Sequence, residues 1–222
     1  MTHASRSDVQ ATLAQLRTLL RQKPPSGPNY PAEAARDRLT EQMVCLAADD
    51  DAFLVECLAE AFDACRRDDD EREVCGAIIL ALRRRDSLLG AADVLGRIAL
   101  AEPSVPWLSA YVVQVVGTCN PRPFERLLRE AAGSSCEVLR AWAAESLIAA
   151  GLATPTEIDA LLRDPDEGVQ RLTARGLAEL RTADAIFRLT ERALHHDDGK
   201  AREQAWWLLG GCRLAPARGG EC

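Results

Sequence analysis

The chain is poor in lysine, aromatic residues and methionine. Only Lys23 and Lys200 among its 27 basic residues are lysine, aromatics make up 5%, and there are 2 methionines. An excess of positive charge is also missing, because 34 acidic against 27 basic residues leave a formal net charge of −7. Nucleic-acid binders usually carry a basic surface, so this balance weighs against that class. Neither part of the chain restores it: residues 1–133 hold 16 basic and 20 acidic side chains, and residues 134–222 hold 11 and 14. No apolar run approaches the roughly 20 residues of a membrane span, so no membrane partner is expected. Met1 to Ser7 are polar and no continuous apolar stretch follows them, so no secretory signal is expected.

Catalytic and metal signatures are scarce as well. H-E-x-x-H, P-loop and G-x-S-x-G patterns are missing, so no catalytic residue is assigned and no enzyme, cofactor or metal is expected. His195-His196-Asp197-Asp198 is the one cluster with ligand chemistry. Neighbouring histidines on a helix point about 100° apart, so a helix end followed by an aspartate cap is the simpler reading. Asp49-Asp50-Asp51 and Asp68-Asp69-Asp70-Glu71 lack calcium-loop spacing. Each run precedes an expected helix, where one or two acids cap it and the surplus serves solubility. The cysteines at 45, 57, 65, 75, 119, 136, 212 and 222 contain no C-x-x-C pair and mostly lie in apolar stretches. They read as buried, reduced thiols in a cytoplasmic protein. The preference for arginine, with abundant alanine, points to a GC-rich bacterial genome.

Turning to what is present, apolar residues recur at three- and four-residue steps. Val9, Leu13, Leu16 and Leu20 form one stripe, and Leu54, Cys57, Leu58, Ala61, Phe62 and Cys65 another. The eleven prolines fall between such stripes. Thr154-Pro155-Thr156-Glu157 and Asp164-Pro165-Asp166-Glu167 each offer an N-cap, proline at N1 and glutamate at N3, which predicts helices starting at 155 and 165. Ser7-Asp8-Val9-Gln10 is a third capping signal. Val112 to Val116 is β-branched but has no strand to pair with, so a helix is expected there too. The fold class is all-α, with about a dozen short helices.

A nine-residue frame recurs along the chain. Val169 to Leu177 reads apolar, two polar, apolar, small, small, polar, small, Leu. The same frame fits Leu139 to Leu147 and Ala201 to Leu209, and more loosely Leu108 to Val116 and Val74 to Leu82. The anchors at 74, 108, 139, 169 and 201 are 34, 31, 30 and 32 residues apart, with a weaker copy from Leu39. Repeats of this length are helical hairpins that must stack to bury their apolar faces. Asp164-Pro165-Asp166-Glu167-Gly168-Val169-Gln170-Arg171 through Leu180 resembles the HEAT repeat, in the short bacterial form also seen in phycobilisome lyase-type proteins. That resemblance implies a right-handed α-α superhelix of about five to six hairpins. Residues 1–70 would be a divergent helical cap, 71–212 the repeats, and 213–222 a flexible tail.

The resemblance also implies that the second helix of each pair lines a concave face. The polar frame positions expected there are Gln114, Arg140, Glu145, Gln170, Arg171, Arg175, Arg202, Glu203 and Trp207, a strip in which arginine and indole are the typical contact chemistry. Trp206 stands at a small-residue position and is expected to pack inward or to cap the last pair; Trp142 is expected in the core. The function implied is non-catalytic binding of another protein, as an adaptor or inhibitor. An immunity protein that neutralises a basic bacterial toxin is one form of it. The alternatives are a glycosylase acting on alkylated purines in DNA and a bilin lyase-like protein.

Overall fold

The computed structural model describes residues 6–21, 37–43, 45, 50–65, 69–101 and 106–214. Among these residues every regular element is helical and no strand occurs. No helix there is long and apolar enough to cross a membrane. The chain divides into two compact units, residues 1–115 and 116–222. The first contains α1 (Arg6–Arg21), α2 (residues 37–43), α3 (Asp51–Ala64), α4 (Asp69–Arg84) and α5 (Ala92–Ala99). The boundary falls within α6 (Pro106–Cys119). The second unit contains α7 (Glu125–Ala132), α8 (Glu137–Ala149), α9 (Pro155–Leu162), α10 (Glu167–Leu180), α11 (Ala183–His195) and α12 (Gly199–Leu214).

The recurring frame lands on every second helix: α4, α6, α8, α10 and α12. Its first and ninth residues are buried in all five copies: Val74 and Leu82, Leu108 and Val116, Leu139 and Leu147, Val169 and Leu177, Ala201 and Leu209. The fifth residues, Ile78, Val112, Ala143, Thr173 and Ala205, are buried as well. Thr173 tolerates this because its hydroxyl donates to the Val169 carbonyl at 2.8 Å. Eight residues carry the helix through about 800°, so the first, fifth and ninth positions share one face, which the burial pattern identifies as the core face.

In the second unit α7 packs on α8, α9 on α10, and α11 on α12, while α10 also contacts both α8 and α12. Ile148, Ile158, Ala174, Leu177, Leu189, Ala205 and Leu209 form one apolar cluster through these pairs. The small frame positions set the approach of the second helices. A Cβ added at Gly176 would stand 2.8 Å from the Glu145 carbonyl oxygen and 3.1 Å from Ile148 Cβ. In the first unit α3 packs on α4 and α5, and α1 on α4. There the Arg17 guanidinium meets the buried Glu71 carboxylate through two bonds, at 2.6 and 2.9 Å.

Several local expectations change. Thr154 caps α9 with the reciprocal Glu157 contact and Pro155 at N1. The next helix starts at Glu167 rather than 165, and its cap is Asp166, which accepts from Val169 N at 3.0 Å. Asp164 stands two residues before that cap: it pairs with Arg140, and its Oδ1 accepts from Asp166 N at 2.9 Å in the turn that leads into the helix. Ser7 is no cap either, since α1 already includes Arg6. Asp50 caps α3 and pairs with Arg6, and Asp51 pairs with Arg85, so these acids serve internal contacts as well as solvation. Trp206 is exposed rather than packed inward, and Trp142 is half-buried rather than in the core. Cys57, Cys65 and Cys75 are buried free thiols as expected, whereas Cys45 and Cys119 are exposed. Asp49, Asp68, Pro24 to Pro31, Pro103, Pro216, Cys222 and the expected tail beyond Leu214 lie outside the described residues.

Candidate functional site

The polar frame positions separate into two kinds. At the second position the side chain turns back onto the loop that precedes its own helix. Arg140 Nη1 donates to the Ser134 and Ser135 carbonyls at 3.0 and 2.9 Å. Gln170 Nε2 donates to the Asp164 carbonyl at 2.8 Å. Arg202 Nη1 donates to the His196 and Asp197 carbonyls at 2.6 and 3.0 Å. All three reach the carbonyl six residues earlier, so the repeat preserves a contact as well as a pattern. These groups satisfy loop carbonyls that the helices leave unpaired.

The second-position residues also reach toward the following hairpin. Arg140 holds Asp164 through Nε and Nη2, both at 3.0 Å, and this guanidinium keeps the Asp164 carboxyl below its ordinary range. Gln170 Oε1 accepts from Arg192 Nη2 at 3.1 Å and lies 3.2 Å from His196 Nε2. The Asp198 N–H donates to His196 Nδ1 at 3.1 Å. The ring hydrogen is therefore on Nε2, and it points at Gln170. His195 ends α11 and Asp198 caps α12, as expected for that cluster. No metal-holding group of His, Cys, Asp or Glu is found among the described residues.

The seventh position forms a ladder across α8, α10 and α12. Glu145 is buried and paired through both carboxylate oxygens with Arg175, one contact measuring 2.6 Å. Burial raises the Glu145 carboxyl above its usual value in spite of that partner. Arg175 also lies over the Trp142 ring, 5.5 Å from its centre. Trp207, the next rung, is 75% exposed. Arg171 at the third position is exposed, and its carbonyl accepts from Gln204 of α12 at 3.3 Å. Glu203 is exposed too, and Gln114 is half-buried in the first unit.

Two clefts open along this face of α8, α10 and α12. One of about 360 Å³ is lined by Val138 and Trp142 of α8, Arg171 and Arg175 of α10, and Gln204 of α12. The other, about 560 Å³, shares Arg171 and Gln204 and continues to Gln170, Arg192, His196 and Lys200. Arg171, Arg175, Glu203 and Trp207 are thus the strip residues that face solvent. No family model matches the chain, and no curated protein or solved structure matches it.

Sequence reasoning missed Arg192. It sits in the polar run Thr190-Glu191-Arg192 yet is buried. The usable signal was register, because Ala185, Leu189, Arg192 and Ala193 recur at helical spacing and share the buried face of α11.

Proposed function

We propose that this chain is a non-catalytic protein-binding module built from HEAT-like helical hairpins that stack as a right-handed α-α superhelix. Support for the stacking comes from the anchor residues, which are buried in every copy of the frame. The partner is another protein, gripped by the face of α8, α10 and α12. The observation that carries this reading is the continuity of the two clefts, joined at Arg171 and Gln204, with Trp207 exposed one turn beyond Gln204 on α12. Exposed arginine and indole beside an aromatic-lined cleft are the groups that dominate protein interfaces. An inhibitor of a bacterial toxin, in the cytoplasm of the producing cell, is one form of such a function. The net charge of −7 favours encounter with a basic partner, while Arg171 and Arg175 set the local contact chemistry.

The test is a double variant, Arg171→Glu with Trp207→Ala, compared with the natural chain in copurification and in affinity for the captured protein. Both side chains are exposed, so circular dichroism and the melting temperature should stay unchanged. Affinity should fall about tenfold or more. Unchanged affinity removes this face from the account. Excision of an alkylated base from duplex DNA, or a coloured adduct with bilin, would replace the binding module with an enzyme.

A further inference from the structure

Arg192 is a buried cation without an ionic partner. Its residue surface is 8% exposed, and its Nε is buried with no hydrogen-bond partner. Among the described residues its one hydrogen bond runs from Nη2 to the neutral amide oxygen of Gln170, and no carboxylate forms an ion pair with it. Burial lowers the guanidinium below its ordinary value, an effect that the charge of Asp198 opposes only through space. An uncompensated buried charge is costly, and proteins normally pair it or give it an anion.

The surroundings of Arg192 favour an anion. It lines the cleft of about 560 Å³ together with Arg171, Lys200 and His196. Two acids, Glu167 and Asp198, also border this cleft. Asp198 is directed elsewhere: Oδ1 accepts from Lys200 N at 3.1 Å and Oδ2 from Ala201 N at 3.0 Å. Three cationic side chains therefore meet two carboxylates, an excess of one positive charge, and both oxygens of Asp198 are engaged by α12 amides. The amide of Gln170 and the ring of His196 hold each other in one orientation, so the wall around the guanidinium is preorganised.

We propose that this cleft is an oxyanion site that takes a phosphate group, with Arg192 at its base and Arg171 and Lys200 at its rim. Guanidinium groups match phosphate oxygens in geometry as well as charge. The cleft volume lies within the range of small-molecule sites, about 300–1,000 Å³, which leaves room for an organic remainder. The inference shares this cleft and Arg171 with the protein-binding reading but rests on the buried Arg192, so phosphate binding and partner capture can fail separately.

The experiment measures binding of inorganic phosphate and of ribose 5-phosphate by calorimetry, and the melting temperature in each, against chloride at equal ionic strength. Both phosphates should bind and raise the melting temperature, and chloride should not. Tighter binding of ribose 5-phosphate indicates a phosphorylated small molecule; equal binding indicates the free anion, and either result supports the site. Arg192→Gln should weaken phosphate about tenfold or more, and Lys200→Gln about threefold. The exposed Lys200 keeps the test informative if the Arg192 variant does not fold. Absence of a phosphate effect beyond that of chloride, or unchanged binding in the Lys200 variant alongside an unfolded Arg192 variant, overturns the proposal.

Discussion

Arg140 and Asp164, 24 residues apart, meet through two parallel hydrogen bonds of 3.0 Å while the same guanidinium holds two carbonyls of its own loop. The pair is mostly buried, with side chains 17% and 11% exposed. One side chain thus joins the start of α8 to the loop before α10. Arg140→Ala should cost about 2–3 kcal/mol, because it strips two carbonyls and the Oδ2 of a largely buried carboxylate of their donors, while Oδ1 keeps the Asp166 N–H at 2.9 Å. Arg140→Lys should recover only part of this, as an ammonium cannot make the forked contact. Urea unfolding measures both.

The same pair sets a pH dependence. The folded Asp164 carboxyl is held below its ordinary value by Arg140. Its contribution is therefore fully present above the unfolded aspartate value of about 3.9, and is lost as pH falls toward the folded value. Stability curves of the natural chain and of Arg140→Ala should converge on acidification through that window. Parallel curves down to strongly acid pH would contradict the assignment.

Glycines on the repeat should behave in opposite ways. Gly176→Ala puts a methyl 2.8 Å from the Glu145 carbonyl oxygen, whose backbone must then move. The overpacking cost of about 1–3 kcal/mol exceeds the helix-propensity gain of about 1 kcal/mol, so the variant should be less stable. Gly96 in α5 has nothing within 4 Å of an added Cβ. Gly96→Ala should stabilise by about 0.5–1 kcal/mol. Thermal melts of the two variants should therefore shift in opposite directions.

Glu145 and Arg175 are unequal partners. Burial dominates the Glu145 carboxyl and raises it, whereas Arg175 keeps 44% of its side chain in solvent. Arg175→Ala strands a buried carboxylate and should cost about 1–3 kcal/mol near neutral pH. Glu145→Gln leaves an arginine that water can solvate, and should cost less. Since the folded carboxyl is raised, stability contributed by its protonated form is full below the ordinary glutamate value and is lost as pH rises through the folded value. Arg175→Ala should therefore lose less stability in mild acid than at neutral pH.

The thiols offer a check on burial. The Cys57 thiol is pushed up to about 11 and Cys75 is raised further, in both cases chiefly by burial. A thiol reagent applied to the native protein at pH 8 should modify Cys45 and Cys119 while sparing Cys57, Cys65 and Cys75. All should react after denaturation. Peptide mass spectrometry reads the order, and early loss of Cys75 would mean that α4 opens readily.

Helical content, the choice of helix for Val112 to Val116, and the five buried frames were legible from the sequence by itself. They depend on local periodicity and on chain punctuation, which operate within a few residues. The exposed Trp206 and the buried Arg192 were decided by tertiary contact. So was the fate of the polar frame positions. Arg140, Gln170 and Arg202 look like surface residues at any single turn of helix, but each has carbonyls six residues behind it. Arg140 and Gln170 also have partners one hairpin ahead. Those partners lie 22 to 24 residues away along the chain and become neighbours only when one hairpin packs against the next. Periodicity specifies the direction in which a side chain leaves its helix; the group waiting there is supplied by the packing of another.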